Sequence, residues 1–477
     1  MDERVATLIG VLRHHAALRP QSRAYVFVAD RGGEEASLTF AELDRRARAL
    51  AGHLALRGRP GERALLLFPP GLDFLVGFFG CLYAGIIAVP MMPPRRHRLR
   101  ESSLSIIADC APTFGLTVEK FREPMRQMLD GLSSGGDMAW IAVDAILSAP
   151  DGGETAAAEP SPDAIAFLQY TSGSTSSPKG VMVSHRNLLE NLEMIRRAYD
   201  YGCHSTHVSW VPLYHDMGLI LNALEACYVG ALCVLMAPVA FMQRPLSWLK
   251  AIHDYRAAVA GGPNFAFDLC VERCQREPLS DIDLSSWCVA VNGAEPVRAE
   301  TLERFAETFA RHGFRADPLQ PSCGMAEATL LISGGKRDAP VVWSASRDAL
   351  QRNRALPVRP SEIAQRLAGC GKALVGERIA IVDPVTLHRL PAGEIGEIWA
   401  QGPHVAQGYW CQPEATRQTF HARIADDDSE GWWLHRRPRR RDPPSGRPGT
   451  RALRSTRWSS SARARSPRRP AARSAAA

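Results

Sequence analysis

Along the chain, short runs of consecutive apolar residues alternate with longer segments whose apolar positions recur every three to four residues. The runs "ERALLLF" (62–68), "GIIAVP" (85–90), "AIAFLQY" (164–170), "ALCVLM" (231–236) and "CVAVNG" (288–293) read as buried strands. The segments "LTFAELDRRARALAGHLALRG" and "EPVRAETLERFAETFARHG" read as amphipathic helices. In the first, Leu38-Thr39 stands ahead of the periodic run. In the second, Glu295-Pro296 is expected to open the helix and Gly313 to follow its end. Such alternation predicts an α/β layered architecture with parallel sheets. Around 371–410 the pattern changes, and "GERIAIVD" and "GEIGEIWAQG" predict a short-stranded, mostly antiparallel β subdomain. "DGGETAAAEPSPD" (151–163) reads as a small-residue loop, and there is no internal repeat.

The uncharged run Phe74 to Val89 is 16 residues long and ends at Pro90, short of a membrane span. A buried helix running into a strand fits it better, so no transmembrane segment is expected. At 477 residues the chain needs more than one domain or subdomain. Its formal charge of +7 is unevenly spread: residues 435–477 hold 14 Arg, no Lys and one acid, Asp442, which leaves the rest net negative. The 11 cysteines include no CxxC pair. Cys270 and Cys274, four apart, read as buried thiols on one helical face rather than metal ligands. With no secretory leader at the N-terminus, a reducing cytoplasm is the expected setting.

The most informative segment is "LQYTSGSTSSPKGVMVSH" (168–185), in which a strand ends at Tyr170 and a second begins after Gly180. Between them Thr171, Ser172, Gly173, Ser174, Thr175, Lys179 and Gly180 offer hydroxyls, free backbone N–H groups and one cation. A polyphosphate needs that set: donors around its oxygens and a point charge against its own. It is no Walker loop, because Lys179 is followed by Gly180 and a strand rather than by Ser/Thr and a helix.

"YTSGSTSSPKG" closely resembles the nucleotide-phosphate loop of adenylate-forming enzymes: acyl-CoA synthetases, peptide-synthetase adenylation domains and luciferases. In order after it, "NGAEPV" (292–297), "CGMAEATL" (323–330) and "LPAGEIGEIWAQGPHVAQGYW" (390–410) resemble further motifs of that family, over roughly 1–434. "WVPLYHDMGLI", "GGPNFAFDLC" and a long interval at 336–368 resemble the fatty acyl-AMP ligases, which pass the acyl group to an acyl carrier protein. The resemblance implies a large N-terminal domain of two layered αβ subdomains with a smaller β subdomain at about 371–420. It also implies a ligase-type insertion at 336–368, able to restrain a mobile C-terminal domain.

The resemblance further implies ATP-dependent activation of a fatty acid, with ATP and Mg²⁺ as cofactors and an acyl carrier protein as partner in polyketide or lipopeptide assembly. Thr171, Ser172, Gly173, Ser174, Thr175, Lys179 and Gly180 would hold phosphates. Glu327, with Thr175, would bind Mg²⁺. Gly293, Ala294, Glu295, Cys323, Gly324, Met325 and Ala326 would line the nucleotide pocket. His215 would sit near the carboxylate and the α-phosphate, making Lys179, His215 and Glu327 the catalytic set. Gly262, Asn264, Phe265 and His215 would border the acyl chain; for Asn264 and Phe265 ordinary core packing is an equal reading, since apolar lining and apolar core look alike in a sequence. Two other readings stay open: a non-catalytic nucleotide- or acyl-binding remnant, and an acyl-CoA synthetase.

At 323 the family has a Tyr that stacks on adenine, and Cys323 cannot supply that flat face. Cys323→Tyr is therefore expected to tighten ATP binding by about 1 kcal/mol, measured by calorimetric titration. An unchanged affinity would count against the stacking account.

After "EGWWL" (430–434) the family continues with Thr-Gly-Asp, which binds ribose, and then a C-terminal domain. Here "HRRPRRRDPP" follows instead, and the C-terminal domain is read as absent. If 435–439 is encoded CAC CGG CGA CCT CGG, then C, a one-base shift reads ACC GGC GAC CTC GGC, which is Thr-Gly-Asp-Leu-Gly. Residues 435–477 contain six Pro and no Ile, Val, Phe or Met, too little apolar surface to order a core. An Arg-rich nucleic-acid arm and a plain disordered extension are the rival readings; no evolved nucleic-acid partner is expected. Resequencing is expected to find one base gained or lost near the codons for Trp433 to His435. An intact frame, with no homologous domain encoded out of frame, rules that out.

Overall fold

The computed structural model describes residues 5–29, 32–94, 100–129, 138–147, 159–171, 178–277, 279–335, 339–426 and 433–435. Two large sheets dominate. The first is seven-stranded, in spatial order Leu319–Pro321, Val289–Asn292, Val259–Gly262, His207–Ser209, Cys233–Met236, Arg23–Val28 and Glu34–Thr39. The second is six-stranded, in the order Ala139–Ala142, Phe114–Thr117, Arg63–Leu66, Ile87–Pro90, Ile165–Thr171 and Lys179–Ser184. All five apolar runs singled out in the sequence supply strands of these two sheets.

Both sheets are parallel except at one edge, which qualifies the parallel expectation. Lys179–Ser184 runs antiparallel to Ile165–Thr171, with Thr171 opposite Lys179. A parallel return would need a crossover of a dozen or more residues, and only seven separate these strands. At the other sheet's edge Glu34–Thr39 folds back on Arg23–Val28 in the same way.

Helix Asp73–Ala84 is buried at every position from Phe74 to Ala84 and turns into strand Ile87–Pro90 through Gly85 at φ 68°. A helix apolar on all sides belongs inside a protein this size. No helix among the described residues is long and apolar enough to cross a membrane. Helix Phe40–Ala55 starts at a capping box: the Thr39 side chain accepts from Glu42 N–H, and the Glu42 carboxylate accepts from Thr39 N–H at 2.8 Å. Such a cap contributes about 1 kcal/mol.

The predicted helix at 295 opens later, at Ala299, and runs to Phe309 before a short 3₁₀ turn closes at Gly313, φ 80°. The delay has a cause in tertiary structure. The Asn264 amide donates to Pro296 O at 2.9 Å and accepts from Arg298 N–H at 3.0 Å, which holds 296–298 out of helical conformation.

Smaller antiparallel elements complete the chain. Cys323–Gly324, Leu331–Gly334 and Lys372–Ala373 form one sheet, and Val342–Ser346 pairs with Ala364–Ala368 in a hairpin. Arg366 of that hairpin pairs with Glu303 on helix Ala299–Phe309. Arg378–Val382, Glu397–Gln401 and Leu434–His435 form a third sheet. Trp433 is buried there against Val382, Trp399 and Ile424, a burial that stabilises by about 2 kcal/mol. Most of the small-residue loop at 151–163 and all of the tail beyond 435 lie outside the described residues. All eleven cysteines are free, with Cys270 and Cys274 buried on helix Asn264–Arg276.

Candidate active site

Four of the predicted motifs meet at one rim. Gly262, Gly293 and Cys323 stand at or just past the carboxyl ends of adjacent parallel strands, and His215 follows strand His207–Ser209 of the same sheet. Ligands of open α/β sheets bind outside such strand ends. The six-stranded sheet reaches this rim through Gln169, whose amide donates to Tyr214 O at 3.2 Å.

Thr171 and Lys179 face each other as the last pair of the antiparallel edge. Ser172, Gly173, Ser174 and Thr175 lie outside the described residues. Gly180 is required by packing: a Cβ there would sit 2.8 Å from the Tyr170 ring, whose hydroxyl donates to Asp109 Oδ2 at 2.6 Å. On the outer side of Lys179–Ser184 runs the segment 407–410. Met182 N–H donates to Gly408 O at 2.9 Å, and Trp410 N–H to Gly180 O at 2.8 Å.

Glu327 sits in the one-turn 3₁₀ helix Ala326–Ala328, flanked by buried Met325 and Ala326. Thr329, at φ 63°, turns the chain back and donates through its hydroxyl to His404 O at 2.7 Å. Asn191 then clamps Leu331 through both its N–H and its C=O. Gly324 cannot carry a side chain, since a Cβ would lie 2.1 Å from Leu330 O. The Tyr409 hydroxyl donates to Glu327 Oε1 at 2.8 Å, and Lys179 Nζ stands 4.5 Å from the centre of the Tyr409 ring. Lys179 and Glu327, 148 positions apart in sequence, thus share one aromatic neighbour.

His215 Nδ1 lies 2.8 Å from Asp216 Oδ1, and Met217 N–H donates to the same oxygen at 2.7 Å. Burial works against the charge on His215, but the Asp216 carboxylate, by its charge and its hydrogen bond, outweighs this and holds the imidazole pKa above its ordinary value. Burial likewise opposes the Asp216 charge, and His215 reverses the balance, keeping the carboxyl below its usual range. The next residues, Met217–Leu224, form a π-helix, a geometry that recurs at functional sites.

In the segment expected to line the nucleotide, Ala294 takes φ 64° and a Cβ on Gly293 would stand 3.2 Å from Ser322 O. Glu295 Oε1 is buried with no hydrogen-bond partner among the described residues, and both polar side-chain atoms of buried Asn292 share that state. Orphaned polar atoms of this kind are costly unless a ligand group meets them. Cys323 pairs in register with Ser333. Among the residues expected to border an acyl chain, Gly262 leaves room for Trp210, whose ring a Cβ would approach to 3.1 Å. Trp210 stacks on Phe241 at 4.0 Å and meets Phe265 edge-on at 5.7 Å. Asn264 is fully buried and spends its amide on the 296–298 backbone, so it shapes this wall rather than presenting a polar group to it.

The profile of the AMP-binding enzyme family matches residues 12–410, most of the chain. The chain belongs to the AMP-binding enzyme family. Among relatives of this AMP-binding protein is the medium-chain-fatty-acid–[acyl-carrier-protein] ligase JamA of Moorena producens, 40% identical over 429 residues, covering 88% of this chain and 72% of the relative. The ligase of the same description from Teredinibacter turnerae, TtuA, is 35% identical, with 87% and 71% covered. A crystal structure of fatty acyl-adenylate ligase from L. pneumophila, in complex with acyl adenylate and pyrophosphate, superposes with a TM-score of 0.83 at 38% identity, covering 91% of this chain and 75% of that one. The resemblance to fatty acyl-AMP ligases and the α/β fold class are both borne out by these matches.

Four residues of this candidate site carry no role in the sequence reading: Asp216, Gln169, Trp210 and Tyr409. Asp216 was findable as the acid next to His215. Tyr409 lay inside the quoted "GYW", yet nothing in the sequence pairs it with Glu327, 82 positions away.

Proposed function

We propose that the chain activates a fatty acid with ATP. A carboxylate oxygen attacks the α-phosphorus, the bond from that phosphorus to the bridging oxygen breaks, and pyrophosphate leaves. The resulting acyl-adenylate is then attacked by the phosphopantetheine thiol of an acyl carrier protein, releasing AMP. The observation that carries this reading is the placing of a cation, Lys179, and a carboxylate, Glu327, around Tyr409 at the base of the Thr171–Lys179 loop. The names of the relatives support the substrate class.

In this reading Lys179 and the 171–180 loop hold the β- and γ-phosphates. Gly293 to Glu295 and Cys323 to Ala326 line the nucleoside, with the unpartnered Glu295 Oε1 available to a base N–H. His215, its imidazole pKa held above the ordinary value by Asp216, would offset the repulsion between two anions that must meet. Gly262, Phe265 and Trp210 border the acyl chain, and Asn264 sets their wall. Among the described residues no group of three or more His, Cys, Asp or Glu can hold a metal. That suits Mg²⁺, which takes one or two protein oxygens and completes its shell with phosphates and water. Glu327, with Thr175, would hold it, and when bound it would draw charge from the transferring phosphate.

The test is fatty-acid-dependent exchange of labelled pyrophosphate into ATP, using octanoate or decanoate, followed by addition of CoA or phosphopantetheinylated carrier protein. Exchange with acylation of the carrier is expected. Robust CoA thioester would overturn the choice of acceptor. ATP binding without exchange would favour the second reading, a nucleotide- and acyl-binding remnant.

A further inference from the structure

Tyr409 has been placed with unusual care for a residue that the proposed reaction does not use. It is 6% exposed. Its backbone is bracketed by the bonds from 407–410 to strand Lys179–Ser184, and its N–H donates to Thr416 Oγ1 at 2.9 Å. Its ring meets Phe420 edge-on at 5.1 Å. Gly408 before it takes φ 134°, and a Cβ there would sit 2.4 Å from Thr416 Cγ2. Backbone and ring therefore have one position.

From that position the ring contacts two residues of opposite charge, Lys179 and Glu327. Its hydroxyl donates to Glu327 Oε1, and the segment grips Glu327 a second time where Ala406 N–H donates to Glu327 O at 2.9 Å. Its π face carries Lys179 Nζ. Neither Lys179 nor Glu327 forms an ion pair with another described residue. Two flexible charged side chains gathered on one ring would otherwise be drawn toward each other, and each ligand would then have to break that pair before binding. A cation held on an aromatic face and a carboxylate held by one phenol hydrogen bond remain available to ligands.

We propose that Tyr409 is a positioning residue: a separator that keeps Lys179 and Glu327 apart, so that one can take phosphate and the other a divalent cation. The inference rests on the assignment of phosphate to Lys179 and cation to Glu327 made above.

The test uses the full chain and two binding readouts that need no turnover: calorimetric titration of ATP in EDTA, and Mn²⁺ titration by electron paramagnetic resonance with ATP present. Tyr409→Phe keeps the ring and loses the hydroxyl. It is expected to weaken Mn²⁺ by about 10-fold and to leave ATP in EDTA unchanged. Tyr409→Leu loses both, and is expected to weaken ATP in EDTA as well, by about 5-fold. Adding Glu327→Gln to Tyr409→Leu is expected to restore ATP affinity in EDTA, because Lys179 then has no partner to collapse onto; lost packing would not be rescued this way. Native Mn²⁺ affinity in Tyr409→Phe, or a Tyr409→Leu deficit that Glu327→Gln does not relieve, overturns the separator alone. If the native chain binds neither probe, the parent reading fails and the separator with it. Should Tyr409→Leu fail to fold, Tyr409→Phe decides the matter.

Discussion

Glu327→Ala is expected to lower fatty-acid-dependent pyrophosphate exchange by about 10²–10³-fold, the range seen when one preorganised electrostatic group is lost from a reacting centre. The carboxylate stands on a single 3₁₀ turn between buried Met325 and Ala328, and among the described residues it belongs to no group of three or more His, Cys, Asp or Glu. The fold itself should barely respond. Among the described residues the Glu327 side chain makes one hydrogen bond, from Tyr409, and its removal costs on the order of 1 kcal/mol. Exchange assays set beside thermal melts separate the two effects. A variant that keeps exchange within a few-fold of the native chain would remove Glu327 from the catalytic set.

Gly218→Ala is expected to do the reverse, damaging structure first and activity through it. A Cβ at 218 would lie 2.2 Å from Pro212 O and 2.6 Å from Val211 O, both backbone atoms that cannot swing aside. Relief requires moving the turn that carries His215 or the start of the π-helix Met217–Leu224. Overpacking of this sort costs about 1–3 kcal/mol, and more where backbone must shift. Because Met217 N–H also anchors Asp216, the shift disturbs the His215–Asp216 pair. Displacing such a group by about 1 Å lowers a rate on the order of 10²-fold. The expected outcome is a lower melting temperature together with an exchange loss that persists at saturating ATP and fatty acid. Native stability at this position would show that the turn is freer than its contacts imply.

Much of the site could be read before any coordinates. The loop from Thr171 to Gly180 declares itself through hydroxyls, glycines and a lysine between two strands, because phosphate recognition needs those groups close together in sequence. The His215 turn and the Cys323–Ala326 segment are legible for the same reason, each being a short motif. Asn264 was legible as a position but not as a role. Its amide is used up by Pro296 and Arg298, thirty-odd residues on, and the same bonds delay the helix expected at Glu295. Tyr409 had no sequence signal for its role, since a Tyr after Gly reads as ordinary packing.

The sequence by itself determined the order and kind of elements: the buried strands, the buried helix ahead of Ile87–Pro90 and the capped helix at Phe40. These depend on burial and hydrogen bonding within a few residues, and such demands leave a period or a motif behind. The tertiary structure alone decided three things. It set the antiparallel direction of Lys179–Ser184, which follows from the length of a connection. It set the late start of helix Ala299–Phe309, which follows from a side chain on another helix. It also brought Lys179, Tyr409 and Glu327 together, from a strand, an irregular segment beside it and a 3₁₀ turn. Contacts between distant segments are fixed only when whole sheets and helices pack, so no local pattern records them.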